Sequence, residues 1–449
     1  MTLSGKRITV VGLGKSGFAA AKFLAARKAL VRVTDCSEKK EVLENAGFLR
    51  DLGVQVETGR HSKAFVARSD LVVTSPGVPR SSVPLAYAVE NKIPVIGEAE
   101  LAYGHCRGRV IAITGSNGKT TTSNLIHRIL TDAGRKSVLC GNVGYSFLDA
   151  LSEINEETEV VLELSSFQLE DTRTFRPRIA VILNIHPNHL DRHGTLRDYI
   201  RAKENIFKRQ EKSDTLVLNH DDPVVKKMAR RARAQILFYG RKSLARGVCL
   251  EQGKIVLKSG SQAQELLATG RFKLPGAHNL ENILAAAAVA RILGVPMKEV
   301  QRTLDSFDTL EHRVEPVGEI EGVRFINDSK STTVESTRAA ILSLAGPIIL
   351  IAGGRDKGAD FAKLEDLLEQ RVKRAVIYGE ARGKIAGAWK SFRRFQSEPD
   401  FRRAVARAFQ GAARGDSLLL SPMCTSFDQF SSFEERGEAF KQVFKELKT

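Results

Sequence analysis

The sequence predicts an α/β protein with three domains, each built on a mostly parallel sheet covered by helices. Short apolar runs rich in β-branched residues alternate with helix-length segments over nearly the whole chain, which is the pattern of strands joined by crossover helices. The chain has 449 residues. At about 150 residues per domain, this length favours three domains.

The strands are predicted from apolar runs that turn residues bound on either side. These runs are residues 7–12, 31–34, 71–74, 110–114, 160–164, 180–184, 348–352, 375–378 and 417–421. Helices are expected between them, for example at 17–29 and at 279–293, where the second is rich in the helix formers Ala and Leu. Short strand runs separated by turn residues within 247–274 predict a hairpin insertion late in the second domain.

The domain boundaries are predicted from two places where the strand rhythm restarts. One restart lies near NKIPVIGEAELAYGHCRGR and the other near LDSFDTLEHRVE. We therefore expect domains at residues 1–97, 98–308 and 309–449.

Composition and charge describe a globular protein that attracts anions. Hydrophobic residues make up 42% of the chain and charged residues 27%, and 69 Lys and Arg against 52 Asp and Glu give a formal charge of +17. The basic residues are scattered and no nucleic-acid motif accompanies them, so nucleic-acid binding is not expected. No apolar run is long enough to span a membrane and the N-terminus makes a poor signal peptide, so a cytoplasmic protein is expected.

The five cysteines do not predict a disulfide framework or a zinc site. They form no C-x-x-C pair and show no regular spacing. Any metal site is therefore expected to use other ligands.

A glycine pattern near the N-terminus predicts a nucleotide-binding turn. Gly12, Gly14 and Gly17 follow the first strand in the G-x-G-x-x-G spacing, and Asp35 ends the second strand. Small residues let the backbone approach a pyrophosphate at a helix N-terminus, and the acid suits a ribose hydroxyl. A second glycine turn, TSPGVP with Gly77, follows the third strand and is a candidate to close over the same ligand. The pattern leaves open NAD, another nucleotide diphosphate, or a tight turn without a ligand.

The stretch ITGSNGKTTT, residues 113–122, predicts a P-loop that binds ATP. Backbone N–H groups at a helix start and a lysine side chain are what a polyphosphate requires. Lys119 is expected to reach the terminal phosphates and the Thr120 hydroxyl to bind Mg²⁺. The loop is a shortened variant, because Ile113 stands where the usual P-loop pattern has its first glycine.

Polar residues at the ends of two later strands predict a site beside this loop. Glu163 ends one strand, and Asn184, His189 and Asp191 follow another. The carboxyl ends of parallel strands meet at one edge of a sheet, where such groups can bind Mg²⁺ or phosphate. Each of these residues alone is equally consistent with a structural role.

Nine motifs together resemble those of the Mur ligases, in order and over essentially the whole chain. They are TGSNGKTT, LELSSFQLE, LNIHPNHLDRHG, YIRAKENIF, GAHNLENILAA, LEHRVE, INDSKSTT, AGGRDKGADF and SPMCTSFDQFSSFEERGEAF. The similarity is strongest to the members that add D-glutamate. It implies an N-terminal Rossmann-like domain for a UDP-sugar, a central P-loop ATPase-type domain with a parallel sheet, and a C-terminal Rossmann-like domain for the amino acid.

The resemblance also implies an activity. The protein is expected to be a monomeric, cytoplasmic enzyme of peptidoglycan synthesis that uses ATP and Mg²⁺. ATP would phosphorylate the carboxylate of UDP-N-acetylmuramoyl-L-alanine, and the amine of D-glutamate would displace phosphate from the acyl phosphate. The partners implied are small molecules, without nucleic acid and without a membrane span.

The implied site residues fall into four groups. The UDP-substrate is expected at Gly14, Lys15, Ser16, Asp35, Gly77 and Asn142. ATP is expected at Gly115, Ser116, Asn117, Gly118, Lys119, Thr120, Thr121, Asn279, Arg313 and Asp328. D-glutamate is expected at Lys330, Thr332, Lys357, Ser426 and Phe433. Two Mg²⁺ ions are expected at Thr120, Glu163, His189 and Lys203.

Several details of the implied chemistry stay open. Lys119, Glu163, His189 and Lys203 are the expected catalytic residues, and Lys203 is expected to be carbamylated, which would turn a cation into an anion beside the metal. His189 and Asp191 are both candidates to deprotonate the amine. Cys36 and Ser37 stand where the family often has Thr or Arg, so the contacts to uracil are not fixed by the resemblance.

Three other functions fit parts of the sequence. An NAD-dependent dehydrogenase would use the first glycine turn but leaves the P-loop unexplained. A ligase like folylpolyglutamate synthase would use the P-loop but leaves the N-terminal domain and the SFDQF segment unexplained. A nucleotide-binding module without catalysis leaves the polar strand ends unexplained.

Overall fold

The computed structural model describes residues 2–274 and 276–448, except for the side chain of Asp191. The chain divides into two compact units. Residues 1–270 and 281–304 form the first unit, and residues 271–280 and 305–449 form the second. The boundaries of three domains at residues 1–97, 98–308 and 309–449 therefore stay a prediction.

The first sheet of the first unit places the glycine turn at its centre. In the part of the chain described, it has five parallel strands in the order β3-β2-β1-β4-β5. The strands are β1 Arg7–Val11, β2 Leu30–Thr34, β3 Gln55–Glu57, β4 Leu71–Thr74 and β5 Val95–Gly97. The strand order reverses between β1 and β4, and ligands bind at such a switch point in open α/β sheets. The turn after β1 is therefore well placed for a nucleotide.

Five helices accompany this sheet. They are α1 Lys15–Ala26, α2 Lys40–Asp51, α3 Lys63–Val66, α4 Val83–Glu90 and α5 Glu98–Tyr103. Helix α1 buries Ala19, Ala20, Phe23 and Leu24, and these small and apolar side chains let it pack closely on the strands.

The second sheet of the first unit carries the P-loop on a central strand. Within the described residues it has nine strands in the order β14-β13-β12-β11-β10-β9-β6-β8-β7. The strands are β6 Arg109–Thr114, β7 Ser137–Gly141, β8 Glu159–Glu163, β9 Ile179–Ile182, β10 Thr215–Asn219, β11 Gln235–Gly240, β12 Arg246–Glu251, β13 Lys254–Ser259 and β14 Gln262–Ala268. Strand β6 pairs in parallel with both β8 and β9, so the P-loop leaves the sheet between the ends of these two strands.

The helices of this region follow its strands. They are α6 Lys119–Asp132, α7 Phe147–Ala150, α8 Ser166–Glu170, α9 Leu190–His193, α10 Leu196–Glu204, α11 Pro223–Met228, α12 Ala277–Ile292 and α13 Met297–Ser306. Short 3₁₀ turns lie at Leu151–Glu153 and Ala229–Arg231.

The prediction of a hairpin within 247–274 is wrong in the number of strands, which is three. Strands β12, β13 and β14 form two successive antiparallel pairs, and β12 also pairs in parallel with β11. The segment therefore extends the nine-stranded sheet as a three-stranded meander. Two turns rather than one produce this arrangement, at residues 252–253 and 260–261.

The second unit is built on a third sheet with two buried faces. In residues 305–448 it has six strands in the order β15-β16-β20-β17-β18-β19. The strands are β15 Glu315–Ile320, β16 Val323–Asn327, β17 Ile348–Gly353, β18 Val372–Tyr378, β19 Phe395–Glu398 and β20 Ser417–Met423. Only the pair β15–β16 is antiparallel. Alternate residues of β17 pack into different hydrophobic cores. Ile348 and Leu350 belong to one core, and Ile349 and Ile351 belong to the other.

Helices cover these two faces. They are α14 Val334–Ser343, α15 Glu365–Arg371, α16 Arg382–Ala388, α17 Phe401–Gln410 and α18 Phe433–Lys448, with a 3₁₀ turn at Phe361–Leu364. Among the helices described in either unit, none is both long and apolar enough to cross a membrane.

Candidate functional site

The P-loop needs glycine at Gly118 for two reasons. Gly118 has a φ of +82°, in the left-handed region that side chains disfavour. A Cβ atom there would also lie 2.3 Å from Oδ1 of Asn282. The residue directly precedes α6, so the turn presents the N-terminal amides of that helix, which are suited to phosphate oxygens.

Lys119 folds back over the same loop. Its Nζ atom donates to the carbonyl oxygens of Gly115 at 2.9 Å and of Ser116 at 3.1 Å. The side chain is half-buried. A cation is therefore held at the helix N-terminus, where the sequence predicts the terminal phosphates.

Other polar groups fix the shape of the loop. The Ser116 hydroxyl lies 2.9 Å from the hydroxyl of Tyr199 and accepts from the N–H of His186 at 2.8 Å. The side chain of Asn184 accepts from the N–H of Asn117 at 2.8 Å and donates to the carbonyl of the same residue at 3.2 Å. Asn184, a candidate metal or phosphate contact in the sequence, is thus bonded to the loop itself.

The next residues of the loop enter helix α6. Thr120 is half-buried, and its carbonyl accepts from the Ser123 hydroxyl at 3.1 Å. Thr121 is buried. Both threonines thus lie in the first turn of α6, next to Lys119.

Lys203 is buried against the P-loop. Its side chain is among the largest that are fully buried, and its residue is 1% exposed. The Nζ atom donates to the carbonyl of Gly115 at 2.9 Å and to the Thr114 hydroxyl at 3.2 Å. Burial, and next the nearby charge of Lys119, lower the pKa of Lys203 well below its usual value. The structure thus favours a neutral amine at this position.

Glu163 has one carboxylate oxygen that fits a cation. The residue ends β8 and is 1% exposed. Its Oε1 atom accepts from the Asn142 side chain at 2.8 Å, whereas its buried Oε2 atom has no hydrogen-bond partner in the described part of the chain. An unpaired buried carboxylate oxygen is costly unless a cation binds it. The residue therefore fits the Mg²⁺ that the sequence predicts.

His189 lies on a strained turn near the same edge. It has a φ of +55° and directly precedes α9, and its ring packs edge-on against Phe167 with centroids 5.0 Å apart. Across the described residues, no group of three or more His, Cys, Asp or Glu is arranged to hold a metal. Mg²⁺ usually keeps several waters and substrate phosphates as ligands, so a site with few protein ligands suits it. The side chain of Asp191, the second candidate base, lies outside the described residues.

A buried chain of three polar groups orders the turn that carries His189. The Ser166 hydroxyl lies 2.9 Å from Nε2 of His193, and Nδ1 of His193 lies 3.0 Å from Oε1 of Glu170. The His193 ring also stacks on Phe167 at 5.0 Å. These contacts tie α9 to α8. The sequence alone does not reveal them, because a Ser, a His and a Glu spread over 27 residues give no local pattern.

The glycine turn of the first sheet uses its glycines differently. Gly12 has a φ of +91°, and a Cβ atom at Gly17 would lie 1.8 Å from the carbonyl oxygen of Gly12. Both positions therefore require glycine. Gly14 and Gly77, by contrast, are exposed, and a Cβ atom at either would meet nothing within 4 Å. These two positions leave room for a ligand against the backbone.

The polar residues of this turn link both sheets of the first unit. Asp35 accepts from the N–H of Leu13 at 2.6 Å and from that of Ser37 at 2.7 Å, so it closes the turn. Lys15 donates to the carbonyl of Gly144, near Asn142. Ser16 is half-buried at the start of α1, and Cys36 is exposed. Lys15 thus contacts the loop after β7 that also carries Asn142.

In the second unit, Asp328 is fully enclosed. Its Oδ1 atom accepts from the N–H of Val314 at 3.2 Å and its Oδ2 atom from the Ser421 hydroxyl at 2.7 Å. Burial raises the pKa of Asp328 to about 6. Val314 has a φ of +49°, and its neighbour Arg313 is half-buried. The carboxylate therefore holds the strained loop that carries Arg313.

The residues expected for D-glutamate are distributed over four segments of this unit. The Nζ atom of Lys330 lies 3.5 Å from the ring centre of Phe433. Ser426 is buried, Thr332 is half-buried and Lys357 is exposed. Asn279, expected near adenine, is buried on α12, and its N–H donates to the carbonyl of Gly276 at 3.1 Å. Lys330 and Phe433 are the pair that the structure brings into contact.

Family models match the chain in three consecutive parts. Residues 6–97 match the MurD-like N-terminal domain of Mur ligases, residues 113–290 the Mur ligase middle domain, and residues 312–424 the glutamate ligase domain of Mur ligases.

Close relatives cover the whole chain. The UDP-N-acetylmuramoylalanine–D-glutamate ligase of Koribacter versatilis is 42% identical over 448 residues, with 100% of this chain and 99% of the relative covered. The ligase of the same name from Acidobacterium capsulatum is 42% identical over 446 residues, with 99% and 97% covered.

Solved structures share the fold. The UDP-N-acetylmuramate–alanine ligase MurC of Thermotoga maritima has a TM-score of 0.62 at 20% identity, with 99% of this chain and 100% of that chain covered. The MurF ligase of Thermotoga maritima, solved in complex with ADP, has a TM-score of 0.60 at 18% identity, with 99% and 96% covered.

Proposed function

The chain belongs to the Mur ligase family, and we propose that it joins D-glutamate to UDP-N-acetylmuramoyl-L-alanine in an ATP-dependent step of peptidoglycan synthesis. Relatives that carry the name of this ligase match the chain over its full length at about two-fifths identity. One structural observation carries the proposal. Beside the amides of the P-loop, the structure holds two lysines and a buried carboxylate whose Oε2 atom has no hydrogen-bond partner in the described residues.

ATP is proposed to bind at the P-loop with Lys119 against its terminal phosphates. Mur ligases use ATP, and Mg²⁺ is typical of the family. Thr120, Glu163 and His189 are proposed to hold two Mg²⁺ ions, which would neutralise charge on the phosphates. The chain's own contribution is to keep the loop amides and Lys119 in place through Ser116, Asn184 and Tyr199.

Lys203 is proposed to be carbamylated. Only a neutral amine attacks CO₂, and the low pKa of this buried lysine supplies that form. The nitrogen forms a bond to the carbon of CO₂ and releases one proton, which leaves a carbamate with a negative charge. The carbamate places an anion instead of a neutral amine beside Lys119, which attracts it, and it provides an oxygen ligand for a cation.

The reaction is proposed to pass through an acyl phosphate. The carboxylate of UDP-N-acetylmuramoyl-L-alanine attacks the γ-phosphorus of ATP and releases ADP. The amine of D-glutamate then attacks the acyl carbon, the C–O bond to phosphate breaks, and the amine loses a proton. Removing a preorganised donor such as Lys119 typically lowers the rate of such a step by about 10²- to 10³-fold. His189 and Asp191 both remain candidates for the base.

The remaining roles are proposed from the resemblance and the positions described above. The UDP-substrate is proposed at Gly14, Lys15, Ser16, Asp35, Gly77 and Asn142. Asn279, Arg313 and Asp328 are proposed to serve ATP, with Asp328 acting through the loop that carries Arg313. Lys330, Thr332, Lys357, Ser426 and Phe433 are proposed to serve D-glutamate. The monomeric state and the cytoplasmic location stay predictions.

A panel of amino acids tests the proposed function. The purified protein is incubated with UDP-N-acetylmuramoyl-L-alanine, ATP, Mg²⁺ and one amino acid at a time, and the product is identified by mass. D-glutamate should give the amide product, with one ADP and one phosphate released per bond. The Lys119→Ala variant should release phosphate about 10²- to 10³-fold more slowly when both substrates are present. An amide product formed with L-glutamate instead of D-glutamate would contradict the assignment. So would a product formed from folate in place of the UDP-sugar.

A further inference from the structure

Arg436 is a buried cation whose bonding partners are all neutral. It lies on α18 and is 0% exposed. Its guanidinium donates to the Ser329 hydroxyl at 2.9 Å, to the Ser329 carbonyl at 2.7 Å, to the Cys424 carbonyl at 3.2 Å and to the Tyr378 hydroxyl at 3.2 Å. Each of the three guanidinium nitrogens therefore has a hydrogen-bond acceptor, but all of these acceptors are neutral.

No carboxylate pairs directly with Arg436, although the charge of Asp428 acts on both Tyr378 and Cys424. Among the ion pairs of the described residues, none joins Arg436 to a carboxylate within 4.0 Å. Burial raises the pKa of Tyr378 to about 12 and that of Cys424 to about 12, so both stay neutral. A guanidinium stays protonated in proteins, and a buried charge without an ionic partner is costly.

Arg436 also joins the segments that carry the residues expected for D-glutamate. Ser329 directly precedes Lys330, and its hydroxyl donates to the carbonyl of Phe433 at 2.8 Å. Cys424 lies two residues before Ser426. Arg436 thus bonds directly to the segments of Lys330 and Ser426, and it reaches the carbonyl of Phe433 through Ser329.

We propose that Arg436 is a positioning residue that also sets the preference of the amino-acid site for a second carboxylate. It fixes the backbone just before Lys330 and Ser426, and its positive charge, which no carboxylate of the described residues pairs within 4.0 Å, favours an anionic ligand in the same unit. The inference rests on the proposed function, because it concerns how that site selects a dicarboxylic amino acid. Arg436 acts through its neighbours and through its field, without contact with the substrate.

Two variants separate charge from packing. Arg436→Met removes the charge and keeps an apolar chain, whereas Arg436→Lys keeps the charge but cannot make all four hydrogen bonds. Lys441→Met is the matched control, because it removes a cation from the same helix that is paired with three carboxylates. Thermal unfolding and ATP binding by calorimetry establish that each variant is folded.

The measurement is the ratio of kcat/KM for D-glutamate to that for D-glutamine, together with the KM for ATP. Arg436→Met should lower this ratio at least about 10-fold, which corresponds to about 1.4 kcal/mol, with little change in the KM for ATP. Arg436→Lys should raise the KM for D-glutamate but keep the ratio, and Lys441→Met should change neither.

An unchanged ratio in Arg436→Met would overturn the inference. So would an equal loss of the ratio in Arg436→Met and Lys441→Met, because any cation of the unit would then serve. If Arg436→Met does not fold, the ratio in Arg436→Lys decides, since a loss there would show that geometry and not charge sets the preference. Wild-type protein that forms no product with D-glutamate would overturn the proposed function, and the inference with it.

Discussion

The Nζ atom of Lys203 lies 2.9 Å from the carbonyl oxygen of Gly115. A lysine of α10 is thus hydrogen-bonded to the backbone of the P-loop. The same carbonyl accepts from Lys119 at 2.9 Å, so two lysine nitrogens share one oxygen. Two buried or half-buried ammonium groups this close repel each other, and neutralising Lys203 relieves the repulsion.

Removing CO₂ should therefore reduce the activity of the wild-type protein. In buffer depleted of CO₂ and bicarbonate, the neutral amine of Lys203 cannot become a carbamate, and turnover should fall until bicarbonate is restored. Lys203→Met and Lys203→Arg should be at least about 100-fold less active and should not respond to bicarbonate, because neither can form the carbamate. Initial rates across a bicarbonate series make the measurement.

The matched control for this prediction is Lys208→Met. Lys208 follows α10 and is exposed, so its loss should leave both the rate and the response to bicarbonate unchanged. Full activity in Lys203→Arg would contradict a carbamate at this position.

Glu163→Gln should weaken Mg²⁺ binding without destabilising the fold. A glutamine still accepts from Asn142 through its amide oxygen, but it removes the charge from the buried atom that has no partner among the described residues. The Mg²⁺ concentration at half-maximal rate should rise at least about 10-fold, and the thermal midpoint should not fall, since an unpaired buried charge is lost. Titration of the initial rate with Mg²⁺ measures the effect.

Glu157→Gln provides the comparison for Glu163→Gln. Glu157 is an exposed carboxylate just before the same strand. The Glu157→Gln variant should keep the wild-type dependence of the initial rate on Mg²⁺. If the two variants behave alike, Glu163 is not a metal ligand.

Gly118→Ala should impair ATP binding more than backbone strain alone predicts. The residue has a φ of +82°, and the added Cβ atom would lie 2.3 Å from Oδ1 of Asn282. Gly134, at the other end of the same helix, has a φ of +72° with nothing within 4 Å of an added Cβ atom. Gly134→Ala should therefore cost only the left-handed strain of about 1–2 kcal/mol.

Calorimetry with ATP and Mg²⁺ compares these two variants. Gly118→Ala should lose ATP affinity by an order of magnitude or more, whereas Gly134→Ala should bind as the wild type does. Equal affinities in both variants would show that the loop can shift away from Asn282.

The central strands β17 and β20 could be predicted from the sequence, but the edge strands β3 and β19 could not. β17 and β20 have two apolar faces and therefore read as continuous apolar runs. β3 has only three residues, and β19 has the sequence FQSE with one apolar side chain. Such strands form because a neighbouring strand offers hydrogen bonds, which a local pattern does not reveal.

The site shows the same limit. Gly118 and Lys119 could be proposed as phosphate contacts because a phosphate-binding turn needs them at a fixed spacing, and this role stays a prediction. Asn282 and Tyr199, which shape that turn, are 160 and 83 residues from their partners along the chain. Arg436 could not be singled out either, because only the structure shows that its charge is buried.

Asp328→Asn should stabilise the protein at neutral pH but not at acid pH. The pKa of Asp328 is raised by burial from 3.8 to about 6. Between these values the folded state keeps a proton that the unfolded state has lost, so stability falls as pH rises through this window. The free energy of unfolding falls by on the order of 3 kcal/mol, and the fall is complete above the pKa of Asp328 in the folded state. An asparagine cannot titrate, and its amide can donate to the Ser421 hydroxyl, which in turn donates to Thr337.

Thermal midpoints from pH 4 to pH 8 test this sign. The midpoint of Asp328→Asn should equal that of the wild type near pH 4 and exceed it increasingly up to about pH 7. Glu319→Gln, which removes an exposed carboxylate from β15 of the same unit, should differ from the wild type by a constant amount. If Asp328→Asn also follows the wild-type curve at a constant offset, then Asp328 ionises as readily in the folded state as in the unfolded one, and its burial does not control its charge.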